Sequence, residues 1–277
     1  MLRIFLAVLA LALLPSGGAF AQDVRRTDEL MKKSGLWKQL EHYDILILSG
    51  LEQELGKSGV LVDPSGLKKA ASAFSADNLR RDVRIVLAKE MTGADEAEAL
   101  VWLSTDVGKR LTKIEEKFGE SSDPAASQRQ QKAIAEHVKK VPGSRLNLVK
   151  RMTSALDAGN ATAKAMGNMT IAIAYGAAMA TGGEAEIAAK LRREFDAERA
   201  QVALAMEQVM VATYAYMYRS VSDADLGRYV DFIESPAGLR YHDASSAALE
   251  QALTLASLKF GQELGELAKK APVTKRT

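Results

Sequence analysis

One short pattern is written twice in this chain, 130 positions apart. The first copy reads Trp102-Leu103-Ser104-Thr105-Asp106-Val107-Gly108, with Arg110 after it. The second reads Phe232-Ile233-Glu234-Ser235-Pro236-Ala237-Gly238, with Arg240 after it. Each copy ends an apolar-striped segment on a large aromatic, Trp102 or Phe232. A helix-capping hydroxyl follows (Thr105, Ser235), then a residue suited to a helix's first position (Asp106, Pro236). Upstream, Thr92-Gly93-Ala94-Asp95 matches Ser222-Asp223-Ala224-Asp225 at the same offset. A hydroxyl three residues before an acid resembles a capping box, with Asp reaching back less well than Glu. Each copy therefore predicts a helix of about ten residues, a tight corner and a second helix. Gly108 and Gly238 fall inside that second helix, where glycine costs roughly 1 kcal/mol relative to alanine. A glycine in both copies implies that something packs closely there.

Outside the repeat, Ala, Leu, Met, Lys and Glu dominate, and no strand-like alternation lasts more than a few residues. The expected fold is all-α: a tandem pair of related helical units forming a multi-helix bundle. The Val141-Pro142-Gly143 break divides the chain into an N-terminal unit, 22–143, and a C-terminal unit, 144–270, followed by a flexible tail, 271–277. Within them, helices are expected over about 28–55 (bent at Ser34-Gly35), from Pro64 behind an Asp63 cap, over about 145–179, over about 184–219 and from Pro236 towards Leu267.

The first 21 residues read as an export signal. Arg3 precedes an unbroken apolar run from Ile4 to Leu14, too short to span a bilayer comfortably, and Ala19-Phe20-Ala21 fits small-x-small cleavage before Gln22. The protein is therefore expected to be periplasmic or secreted, with no transmembrane span after cleavage. It has no cysteine, so packing alone must stabilise it in an oxidising compartment. Its 37 basic and 35 acidic residues nearly cancel, which leaves no electrostatic footprint for nucleic acid.

The segment Phe232-Ile233-Glu234-Ser235-Pro236-Ala237-Gly238 resembles the aromatic-x-x-Ser-Pro-x-Gly signature of the bacterial domain-of-unknown-function 2059 family. The resemblance covers mainly residues 210–255. It implies an exported, all-helical domain with no established activity, cofactor or catalytic residues. The first copy departs from the signature, with Thr105-Asp106 in place of Ser-Pro.

Catalytic and cofactor patterns are absent from the sequence. None of His42, His137 and His242 stands at metal-binding spacing from another histidine or a glutamate. Ser245 is three residues after His242 and shares its helix face, but no nucleophile elbow accompanies it. Gly56-x-x-Gly59 lacks the lysine of a phosphate loop. The expectation is a non-catalytic protein without cofactor, with a binding or scaffolding role in the bacterial envelope. Its partner would be an envelope protein or an apolar ligand of unspecified identity, and its oligomeric state is not legible. Two alternatives follow from particular residues. The uncharged stretch from Ala165 to Gly183, with Met166, Met169, Tyr175 and Met179, suggests carriage of an apolar small molecule or lipid. His242 and the many carboxylates leave an envelope hydrolase as the remoter possibility.

Overall fold

Helix runs through every described stretch, as a sequence rich in Ala, Leu, Met, Lys and Glu favours. The computed structural model describes residues 26–58, 63–119, 124–183 and 186–270, and no β-strand occurs among them. The expected signal segment, its cleavage position and the C-terminal tail lie outside the described residues. The chain begins with α1 (26–33), α2 (Leu36–Gln39), α3 (Tyr43–Ser58) and α4 (Pro64–Ala71). A short 3-10 turn (Ser72–Phe74) leads into α5 (Ala76–Glu90), α6 (Gly93–Leu103), α7 (Asp106–Gly119) and α8 (Pro124–Val138). Then come α9 (Gly143–Ala155), α10 (Ala158–Thr181), α11 (Glu186–Met217), α12 (Asp223–Ile233) and α13 (Pro236–Lys270). No helix among the described residues is long and apolar enough to cross a membrane.

Two expected helices are broken, each by a residue in the left-handed region. The helix expected over 28–55 does not merely bend at Ser34-Gly35. Gly35 takes φ +77°, α2 lasts four residues, and a turn at 40–42 precedes α3. The helix expected over 145–179 divides at Asp157, whose φ of 45° is strained for a residue with a side chain. Asp157 Oδ1 accepts a hydrogen bond from Asn160 Nδ2 (2.7 Å), which helps to hold the break. Asp63 caps α4 as expected, accepting from the backbone N–H groups of Ser65 and Gly66.

The bundle is organised around α13. Ala244, Ala248, Ala252 and Ala256 form a buried small-residue row along it, with Phe260 and Gly261 beyond. Helix α10 lies against a different face of α13, at Leu258, Gly261 and Gln262, so closely that the backbones touch. A Cβ at Gly261 would stand 2.1 Å from the Ile173 carbonyl oxygen, and one at Gly176 would stand 2.2 Å from that of Leu258. On another side α13 packs against α4 and α5, where Phe74 meets Phe260 edge-on at 5.7 Å. One core thus runs from Leu30, Met31 and Leu79 through Val149 and Met152 to Leu226, Ile233 and Phe260. It is continuous across the expected unit boundary at residue 143.

Candidate functional site

The two copies of the repeated pattern fold into corners with the same hydrogen bonds. Thr105 Oγ1 donates to the Trp102 carbonyl (2.7 Å) and accepts from Gly108 N–H (3.0 Å). Ser235 Oγ donates to the Phe232 carbonyl (2.6 Å) and accepts from Gly238 N–H (3.1 Å). Asp106 and Pro236 occupy the first positions of α7 and α13. The glycines let the second helix of each corner lie on the end of the first. A Cβ would fall 2.4 Å from the Trp102 carbonyl oxygen at Gly108, and 1.8 Å from that of Phe232 at Gly238. Upstream, Thr92 and Asp95 form a complete reciprocal capping box, whereas Ser222 accepts from the Asp225 N–H. Replacing Ser235 with alanine is expected to cost on the order of 1 kcal/mol in a urea melt, the usual loss for a cap.

The corners also meet each other, a feature that neither copy reveals alone. Trp102 stacks on Phe232, with centroids 4.8 Å apart and planes at 10°, and its other near neighbour is Tyr229 at 6.0 Å. Arg110 of the first copy pairs with Asp225 of the second at 2.5 Å. Arg240 of the second pairs with Asp95 of the first. Equivalent residues therefore make reciprocal contacts, as across a two-fold axis. The likeness is confined to the corners, since α7 spans 14 residues and α13 spans 35.

Beside the stacked rings lies a cavity of about 510 Å³. That is within the range of small-molecule sites, roughly 300–1,000 Å³. Four elements direct polar side chains into it. Helix α7 carries Leu111, Glu115 and Phe118 on one face, so Glu115 sits in an otherwise apolar stripe. The end of α11 contributes Tyr214 and Tyr218, one turn apart; α12 contributes Tyr229; α13 contributes Tyr241, His242 and Ser245. The hydroxyls of Tyr218 (2.6 Å) and Tyr229 (3.2 Å) both donate to Glu115 Oε1.

Burial sets the protonation of this cluster. It lifts the Glu115 carboxyl above the usual carboxylate range, outweighing the two tyrosine hydrogen bonds that pull it down, while nearby Glu116 adds to the rise. Glu115 nevertheless keeps some accessible surface, because it lines the cavity. The Tyr218 and Tyr229 hydroxyls are pushed well above the normal phenol value by burial and then by the Glu115 charge. Burial pushes Tyr241 up to about 12. The imidazole of His242 is driven down to about 4 by burial. Among the described residues its Nε2 has no hydrogen-bond partner, and the ring packs near those of Tyr241 (4.9 Å), Phe232 (6.1 Å) and Tyr229 (6.4 Å). Ser245 Oγ is likewise buried without a partner among the described residues, and the helical Ser–His contact suggested by spacing is not made.

Trp102, Phe232 and Gly108 from the sequence motif line this cavity, whereas Thr105, Asp106, Ser235, Pro236 and Gly238 build the corners behind it. The methionine-rich stretch lies elsewhere. Met166 and Met179 are exposed on α10, Tyr175 is at the surface, and Met169 packs against the core. None of the four lines the cavity, because the buried face of α10 is given to Gly167, Ile171, Ala172 and Gly176. Glu115 and the four tyrosines were not singled out from the sequence. The available signal was a glutamate interrupting the apolar stripe of α7. Among the described residues no group of histidines and carboxylates is placed to hold a metal ion. No family model matches the chain, and neither the search of curated proteins nor that of solved structures returned a match.

Proposed function

We propose that this chain is an exported, non-catalytic binding protein of the bacterial envelope, and that its ligand occupies the cavity between the two corners. The observation that carries the reading is the convergence of Glu115, Tyr218, Tyr229, Tyr241 and His242, from four separate elements, on one cavity of about 510 Å³. Polar groups clustered in a largely apolar, concave site are what orients a small ligand. A raised carboxyl and a lowered imidazole within one cavity are costly to maintain, and such groups concentrate at functional sites. Binding is favoured over hydrolysis because Ser245 Oγ is not engaged by His242, which leaves the hydroxyl without an activating base. Export and the envelope are supported by the N-terminal apolar run and by the resemblance of residues 232–238 to the exported family.

Native mass spectrometry of protein released by osmotic shock tests this reading. The wild type is expected to retain a small molecule, and Ala161→Trp, which fills the cavity wall, is expected to lose it. A wild type that is uniformly empty on gentle release, and stays empty after incubation with envelope extract, overturns the proposal. A second reading, carriage of an apolar molecule, is favoured by an open groove lined by Ala174, Ala178, Ile187, Leu264 and Ala268. A retained lipid that persists in Ala161→Trp would decide for it.

A further inference from the structure

We infer that the ligand of the central cavity is a small organic cation, its ammonium group held between Glu115 and the faces of the surrounding tyrosines. This rests on the proposal that the cavity is a ligand site, and it adds the ligand's charge and chemical class.

Charge is the first argument. The ionisable groups lining the cavity, besides the tyrosines, are Glu115, Glu116, Lys38, His42 and His242, with no arginine. Lys38 Nζ lies 4.0 Å from Glu116 Oε2, so those two largely offset each other. Glu115 is left with two neutral donors, Tyr218 and Tyr229, and both use the same oxygen, Oε1. Its Oε2 has no hydrogen bond among the described residues, and it is not among the polar atoms sealed off from solvent. An ionised carboxylate only accepts, so Oε2 offers the cavity an unanswered negative site. An anion entering here would meet that carboxylate, and the one lysine on the wall already faces Glu116. A purely apolar ligand would bury Glu115 further with nothing to compensate it.

The walls supply the second argument. Tyr214, Tyr218, Tyr229 and Tyr241, together with Trp102 and Phe232, line the same space. Tyr218 and Tyr229 stand nearly perpendicular, with centroids 5.9 Å apart and planes at 77°, and Tyr214 lies 6.1 Å from Tyr218. Ring faces are the negative part of the aromatic quadrupole, and several rings set at angles around a carboxylate favour an ammonium ion over a neutral molecule of the same shape. The desolvation that lifts the Glu115 carboxyl agrees with this, because a bound cation would supply the missing counter-charge.

Primary and quaternary ammonium groups share this chemistry, and titration calorimetry separates them. The probes are choline, ethanolamine and the neutral carbon isostere of choline, in which a tert-butyl group replaces the trimethylammonium. Each is titrated into wild type and into Glu115→Gln, a near-isosteric change that removes the charge. At least one cation should bind wild type about tenfold or more tighter than the neutral isostere does, and Glu115→Gln should erase most of that preference. Choline binding more tightly identifies a quaternary site; ethanolamine binding more tightly identifies a primary amine donating to Oε2. Tyr218→Phe, which keeps the ring, should retain the preference for cation over isostere. Should Glu115→Gln not fold, the wild-type ratio of cation to isostere decides alone. Equal affinity for choline and its isostere, full cation affinity in folded Glu115→Gln, or no affinity for either cation overturns the inference. If native mass spectrometry still shows a retained molecule displaced by Ala161→Trp, the cavity remains a ligand site and only the ligand's charge was misread.

Discussion

Gly238→Ala is expected to destabilise the protein by about 3 kcal/mol or more, although alanine is the better helix former. Propensity alone argues for a gain of roughly 1 kcal/mol, so even the sign of the effect discriminates between the two accounts. The added Cβ would lie 1.8 Å from the Phe232 carbonyl oxygen, 2.7 Å from its carbonyl carbon and 3.0 Å from the Ile233 Cα. All three are backbone atoms at the end of α12, so no rotamer change relieves the clash. The corner must open instead, and opening it stretches the Ser235 bonds to Phe232 and Gly238 and shifts the Phe232 ring off Trp102. Gly108→Ala should act in the same direction but less strongly, its nearest backbone atom being the Trp102 carbonyl oxygen at 2.4 Å. For a chain of this size, 3 kcal/mol corresponds to a fall in Tm of about 6–12 °C. The near-UV circular dichroism of the Trp102–Phe232 stack should weaken in parallel. A Gly238→Ala protein that melts at or above the wild-type temperature would falsify the account of the corner.

The corners were legible in the sequence because everything that makes them is local. Hydroxyl, first-turn residue and glycine lie within four positions of one another, so spacing alone specifies the caps and implies a close contact. The all-α class was legible for a similar reason, since propensity accumulates along the chain. The breaks at Gly35 and Asp157 were only partly so. Gly35 is a recognisable helix stop, but Asp157 is a non-glycine residue in the left-handed region, and propensity gives no warning of it. The candidate site was the least legible part. Glu115, Tyr218 and Tyr229 come together only because Trp102 packs on Phe232 and each corner's arginine reaches the other's aspartate. Nothing within either copy specifies that reciprocal docking. The methionine-rich stretch drew notice through its composition, yet composition does not say which helix face is buried. Gly167 and Gly176 turn inward on α10, the first onto the Phe195 ring and the second onto the α13 backbone, and this leaves Met166 and Met179 outside.

Lowering the pH from about 7.5 to about 4.5 should cost wild type about 2.5 kcal/mol more than it costs His242→Phe. The imidazole is held at about 4 in the fold, against an ordinary value of 6.5, because burial disfavours its charged form. Above 6.5 the ring is neutral both folded and unfolded, and its contribution to stability is fully present. Between 6.5 and 4 the unfolded chain takes up a proton that the folded chain refuses, so stability drains away as pH falls through that window. Glu115 works in the opposite sense. Its raised carboxyl binds a proton more readily when folded, so it favours the fold at low pH and loses that effect as pH rises through its folded value. It is present in both proteins and cancels in the comparison. Phenylalanine keeps a ring against Tyr229, Phe232 and Tyr241 and cannot titrate. Urea melts of both proteins at about pH 7.5 and about pH 4.5 measure the difference directly. Parallel losses in the two would mean that water reaching His242 through the cavity hydrates the imidazolium as well as bulk solvent does, and that burial does not set the charge of this ring.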